Sequence, residues 1–150
     1  MRRLRDACLA AGCVIAAAAP ALAAGQPVAG TLNAFGFFGT WAVHCGAPPA
    51  PANIVETVGW SGHEPVEFTA TVVPGAAGNR YRVVSAEMPN PTTLFLQVEL
   101  NDQRAESLAI VKSGNERIRT MTNRTSQGFL VKDGVVVAIG RETPWLQKCR

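Results

Sequence analysis

Three features of this sequence predict an all-β protein, most simply one up-and-down antiparallel β-barrel of about eight to ten short strands. Short segments alternate apolar and polar residues with a period of two, as strands with one face in a core must. Turn residues (Gly, Pro, Asn, Asp) recur every few positions between those segments. One cysteine stands at each end of the folded part, Cys45 and Cys149, so that a single disulfide can tie the first strand to the last. A meander of this size left flat would expose two pairing edges, and closure removes them. A β-sandwich is the alternative architecture.

Before the barrel comes an export signal. Arg2, Arg3 and Arg5 form a basic start, Ala7–Ala19 an apolar run, and Pro20 breaks it ahead of Ala21-Leu22-Ala23, a small-x-small cleavage pattern. Residues 1–24 therefore read as a signal peptide, too short and too interrupted for a spanning anchor. Arg2, Arg3, Arg5 and Asp6 would leave with it, taking the formal charge of the chain from +3 to +1. A near-neutral mature chain is no argument for nucleic-acid or acidic-membrane binding. Cys8 and Cys13 go too, leaving Cys45 and Cys149 for an oxidising compartment, the periplasm or the exterior of a Gram-negative cell. In the chain-entropy picture, closing so long a loop stabilises the fold by up to about 4–5 kcal/mol.

Residues 25–34 are small, polar and Gly/Pro-containing, and read as a flexible N-terminal arm before a barrel domain over residues 35–150. Thr40–Cys45 is the first expected strand, behind the aromatic cluster Phe35, Phe37, Phe38 and Trp41. A stiff, extended loop follows at Gly46–Pro51, where proline forbids sheet pairing. Ile54–Trp60, Val66–Val73, Arg80–Glu87, Thr93–Leu100, Glu106–Lys112 and Glu116–Asn123 are the next expected strands. In the fifth, Leu94, Leu96, Val98 and Leu100 share one face against Phe95, Gln97 and Glu99. Lys132-Asp133-Gly134 is a hairpin turn between Phe129–Val131 and Val135–Ile139, and Trp145–Cys149 ends the domain. No segment after the leader shows a convincing helical period.

Gly39-Thr40-Trp41, on a first strand behind an aromatic turn, resembles the G-x-W signature of lipocalins and the wider calycin barrels. That resemblance implies that Gly39 permits a tight start to the strand and that Trp41 plugs the closed end of the barrel. A basic residue from near the last strand would cover it, Arg141 or Lys148 here, and the barrel would bind a small apolar ligand. The other lipocalin motifs and the C-terminal helix are absent. The early tryptophan, single disulfide and N-terminal arm are also similar to small periplasmic inhibitors of bacterial metalloproteases. In those proteins the arm enters the protease cleft, a part open to Gly25–Leu32; their disulfide, however, closes a short local loop. The Gly-x-Trp…Cys start and the Thr143-Pro144-Trp145…Lys148-Cys149 end resemble small secreted proteobacterial proteins, a likeness that implies no activity.

Catalytic chemistry finds little support. His44, beside Cys45, reads as a satisfied or surface histidine. Ser61, His63 and Glu64 form a Ser/His/Glu set only on paper, because one turn cannot align nucleophile, base and orienter. The two histidines lack metal-ligand spacing, and the cysteines are better used as a disulfide, so no metal and no cofactor are expected. Arg80 with Arg82, and Arg117 with Arg119, share strand faces and would form a basic patch if the faces met. Solvated pairs with Glu87, Glu99 or Glu106 are the simpler reading. Asn123-Arg124-Thr125 is a glycosylation sequon by pattern alone. The aromatics Phe35, Phe37, Phe38, Trp41, Trp60 and Trp145 read first as barrel filling, with the walls of an apolar cavity as the alternative.

The expected protein is therefore an exported, non-enzymatic barrel with Gly39 and Trp41 as its plug and Cys45–Cys149 as its clasp. Its partner would be a small apolar ligand or a secreted or periplasmic protein, with neither nucleic acid nor a membrane span involved. A protease inhibitor working through its N-terminal arm is the alternative.

Overall fold

A computed structural model describes residues 27–101 and 103–150 of the chain. The predicted signal peptide lies outside the described residues. One helix, α1 (Val28–Phe35), precedes the strands β1 (Gly39–Ala42), β2 (Val55–Gly59), β3 (Glu67–Thr71), β4 (Asn79–Asn90), β5 (Thr93–Leu100) and β6 (Ala105–Ser113). β7 (Arg117–Thr125), β8 (Gly128–Lys132), β9 (Val135–Val136), β10 (Arg141–Glu142) and β11 (Leu146–Cys149) complete the fold. Consecutive strands β1 to β7 pair antiparallel, β7 pairs β11, and β11 pairs β1, which closes an eight-stranded barrel. The remaining strands, β8 to β10, form a flap that leaves the barrel from the far end of β7.

The two ends of the barrel domain meet as the cysteines predict. Thr40, Trp41 and Ala42 face Cys149, Lys148 and Gln147 across the β1–β11 seam. Cys45 and Cys149 are joined by a disulfide, their Cα atoms 5.4 Å apart, a covalent link consistent with an oxidising compartment. β1 stops at Ala42, three residues short of Cys45, because the chain then turns around Asn53. The buried Asn53 amide accepts from His44 N and donates to the carbonyls of His44, Ala47 and Pro48. The proline loop is thus knitted into a compact turn rather than held extended.

The N-terminal arm is corrected by the structure. Residues 28–34 are not a free tail but most of α1, which docks on the barrel end with Ala29, Thr31, Leu32 and Phe35 buried. Its C-terminus is a Schellman turn: Phe37 N donates to Leu32 O, Gly36 N donates to Asn33 O, and Gly36 takes the left-handed conformation glycine tolerates. At the other end Ala29 N donates to the Glu64 carboxylate, which also accepts from Val66 N. Lys112 Nζ donates to Phe35 O and Lys148 Nζ to Gly36 O, placing cations at the negative end of the helix. Two turns containing Gly30, Thr31 and Asn33 have weak intrinsic helix propensity, so burial and these distant caps stabilise the helix.

Trp41 is buried at the same end, and its Nε1 donates to Phe37 O at 2.8 Å. Lys148 Nζ lies 5.2 Å from the centre of its ring, the covering cation expected of the last strand; Arg141 is not the residue that does this. Phe37 packs edge-on against Phe35 and Phe68. Below them Leu94, Leu96, Val98 and Val66 are sealed from solvent. Each such side chain contributes about 1.5–3 kcal/mol through burial. Phe38 and Trp60 stack on each other outside this core, and Trp60 is half exposed. Trp145 instead lies against the Arg117 and Arg119 guanidiniums.

Docking of α1 has a direct test. Leu32→Ala should cost about 3 kcal/mol in equilibrium urea unfolding, whereas Asn33→Ala, on the exposed side of the same helix, should cost far less. Equal, negligible effects would mean that the segment is a free arm.

Candidate functional site

The closed end of the barrel is packed, and the other half is hollow. Its cavity of about 350 Å³ is walled by Phe68, Tyr81, Leu108, Ile110, Ile118 and Leu146 from the barrel, with Val131 and Val136 from the flap. The flap contributes because β1 and β11 have only four residues each and do not wall the full barrel height. Arg119 fixes the flap in place. Its Nε donates to Thr143 Oγ1, its Nη2 donates to Gly134 O, and it pairs with Glu142 at 3.2 Å. Gly134 sits so close that a Cβ there would lie 2.8 Å from Arg119 Nη2. The β3–β4 loop lines the other side through Val72, Val73, Ala76 and Ala77, with both valines exposed.

Aromatic filling and an apolar cavity are both present, in different halves. Of the aromatics singled out in the sequence, Phe35, Phe37 and Trp41 fill the plug; Phe38, Trp60 and Trp145 belong to neither plug nor cavity wall. The cavity's own rings are Phe68 and Tyr81, stacked at 4.6 Å. They are register partners on β3 and β4, and the period-two alternation of Phe68 was the signal that pointed inward.

Two carboxyls stand out among the inward polar groups. Glu56 on β2 is the register partner of Trp41 on β1 and of Ala70 on β3, so it faces inward where the plug gives way to the cavity. Burial lifts its carboxyl from 4.5 to about 7. The side chain keeps some accessible surface only because the cavity reaches it. Glu106 on β6 is buried and accepts from Asn123 Nδ2 at 2.9 Å. The Asn123 Oδ1 on the same amide is sealed from solvent and has no hydrogen-bond partner among the described residues. Tyr81 has its phenol pushed up, first by burial and then by the Glu106 carboxylate, with Glu56 adding to the rise and Asn79 and Arg104 opposing it. No sequence pattern flagged Glu56 or Glu106, which stand among polar strand residues without a motif.

The remaining residues marked in the sequence lie elsewhere. Ser61 Oγ and His63 Nε2 are 3.4 Å apart on an exposed turn, but Glu64 spends both carboxylate oxygens on backbone N–H groups. The three therefore do not align as nucleophile, base and orienter. His44 is exposed and remote from them. Arg80 and Arg82 point outward beside Glu67 and Glu99, each at 3.9 Å. The Asn123 of the sequon pattern faces into the barrel. Among the described residues, no group of three or more His, Cys, Asp or Glu could hold a metal ion, and no helix is long and apolar enough to cross a membrane.

No protein-family model, curated protein or solved structure matches this chain.

The Glu56 carboxyl makes stability depend on pH. Its folded pKa of about 7 lies above the unfolded value of 4.5, so its contribution is fully present below 4.5 and is lost as pH rises through 7. The loss is on the order of 3 kcal/mol. Urea unfolding at pH 5 and pH 8 should show this decline in the wild type, and Glu56→Gln should remove most of it.

Proposed function

We propose that the protein is an exported, lipocalin-like binder of a small apolar molecule, held in the hollow half of the barrel. The observation that carries this reading is the cavity of about 350 Å³ beneath the β3–β4 loop, within the size range of small-molecule sites. Its walls are predominantly apolar, with a few inward polar groups to orient a ligand, the pattern such sites share. Val72 and Val73 make an apolar rim through which a ligand could pass without meeting charge. Gly39, Trp41 and Lys148 support the calycin-like part of the proposal, as they take the places that the resemblance gives them. The leader pattern and the disulfide support export.

A binding role is preferred to a catalytic one because the Ser61, His63 and Glu64 side chains do not converge. The inhibitor alternative asks Val28–Phe35 to leave the barrel end in which Leu32 and Phe35 are buried, and no observation favours it. The cavity holds the volume of about a dozen waters, which suits a ligand of roughly ten to fifteen non-hydrogen atoms.

Isothermal titration with decanol should show one saturable site per chain, with a negative heat-capacity change from apolar burial. Ala70→Phe, which fills the cavity from β3, should abolish binding while leaving the β-sheet circular dichroism unchanged. Absence of binding by the wild type to decanol, decylamine and decanoate alike would end this reading.

A further inference from the structure

Resting on that cavity reading, we propose that the natural ligand is an apolar amine, with the Glu56 carboxylate as counter-ion of its ammonium group. The choice comes from the polar groups that remain available inside the barrel. Glu56 lines the cavity and has no hydrogen-bond or ion-pair partner among the described residues.

Several donors around the cavity are committed to protein partners. Asn123 Nδ2 goes to Glu106, Thr143 Oγ1 to Thr120 O, and the Arg119 guanidinium to Thr143, Gly134 and Glu142. Arg104 has partners of its own. A carboxylate ligand would be brought up against the Glu56 carboxyl. An ammonium on an apolar body instead meets the Glu56 carboxyl, with aliphatic and aromatic walls for the rest.

The charged and titratable groups around Glu56 set the sign of the pH dependence. Its strand neighbours present Trp41 on β1 and Phe68 and Ala70 on β3, none of which titrates in the working range. Across the barrel stand Tyr81 on β4, Glu106 on β6 and Arg119 on β7; Lys148 on β11 is held by Gly36 O. With the carboxyl titrating near 7 in the empty cavity, it is mostly ionised at about pH 8 and mostly protonated at about pH 6, while an alkylamine stays charged at both. Ammonium binding therefore strengthens as pH rises.

Isothermal titration of the full mature chain with decylamine, decanol and decanoate separates the outcomes. At about pH 8 decylamine should bind about tenfold or more tightly than decanol, the scale of one charge-assisted hydrogen bond, and decanoate more weakly than either. Lowering the pH to about 6 should cost decylamine up to about tenfold and leave decanol unchanged. Glu56→Gln should erase the preference for the amine and keep decanol binding. Decanoate binding as tightly as decylamine, a wild-type amine affinity indifferent to pH, or an amine preference that survives Glu56→Gln would overturn the proposal while leaving the apolar-cavity reading intact. Failure of all three probes would sink both.

Discussion

Three register pairs, Thr40 with Cys149, Trp41 with Lys148 and Ala42 with Gln147, hold the barrel shut. Without that seam, β1 and β11 would each present unpaired backbone donors and acceptors to solvent or to another chain. The seam is short, and its shortness shapes everything above it. Four-residue strands wall only part of the barrel height, so the gap between β7 and β2 is completed by Val131, Val136, Thr143 and Pro144 of the flap and its return loop. A covering made by a separate hairpin does not force side chains to interdigitate as continuous strands do. The hollow half of the barrel is thus a geometric consequence of how its two ends are joined.

The two halves obey different physics. At the closed end apolar area is buried and its polar atoms are matched: the indole of Trp41, the carbonyls of Phe35 and Gly36 and the N–H of Ala29 all have partners. At the other end a carboxyl is desolvated without an ion-pair partner and an amide oxygen lacks a donor among the described residues. Such groups destabilise a fold, and a leucine and an alanine in their places would not. Their presence in one cavity, in a barrel that satisfies its polar atoms elsewhere, marks the place where stability and use pull apart.

The strand count, the closure and the disulfide could be read from period-two alternation and from the positions of two cysteines. Helix α1 could not. Its apolar residues Val28, Ala29, Leu32 and Phe35 do follow a helical spacing, but two turns with Gly30 and Asn33 carry too little local preference to announce it. The caps that define it come from Glu64, Lys112 and Lys148, separations that no local pattern encodes. β4 runs on to Asn90, past Glu87 where the strand was expected to end, with a register shift between Glu87 and Asn90 at Pro89. The cavity was hidden for a similar reason. Alternation tells which side chains face inward, not whether their volumes suffice to fill the space, and Glu56 and Glu106 looked like ordinary outward acids of polar strands.

The helix also couples the start of the chain to its end in time. Its N-terminus is satisfied by residue 64 and its C-terminus by residues 112 and 148, so the last partner is the third residue from the end of the chain. A segment synthesised early therefore keeps one of its caps unmade until β11 is available. Pairing of residues more than a hundred positions apart carries a large loop-closure entropy before any contact rewards it. Closure of the barrel is accordingly the late event, after the consecutive hairpins of β4 to β7 have their partners.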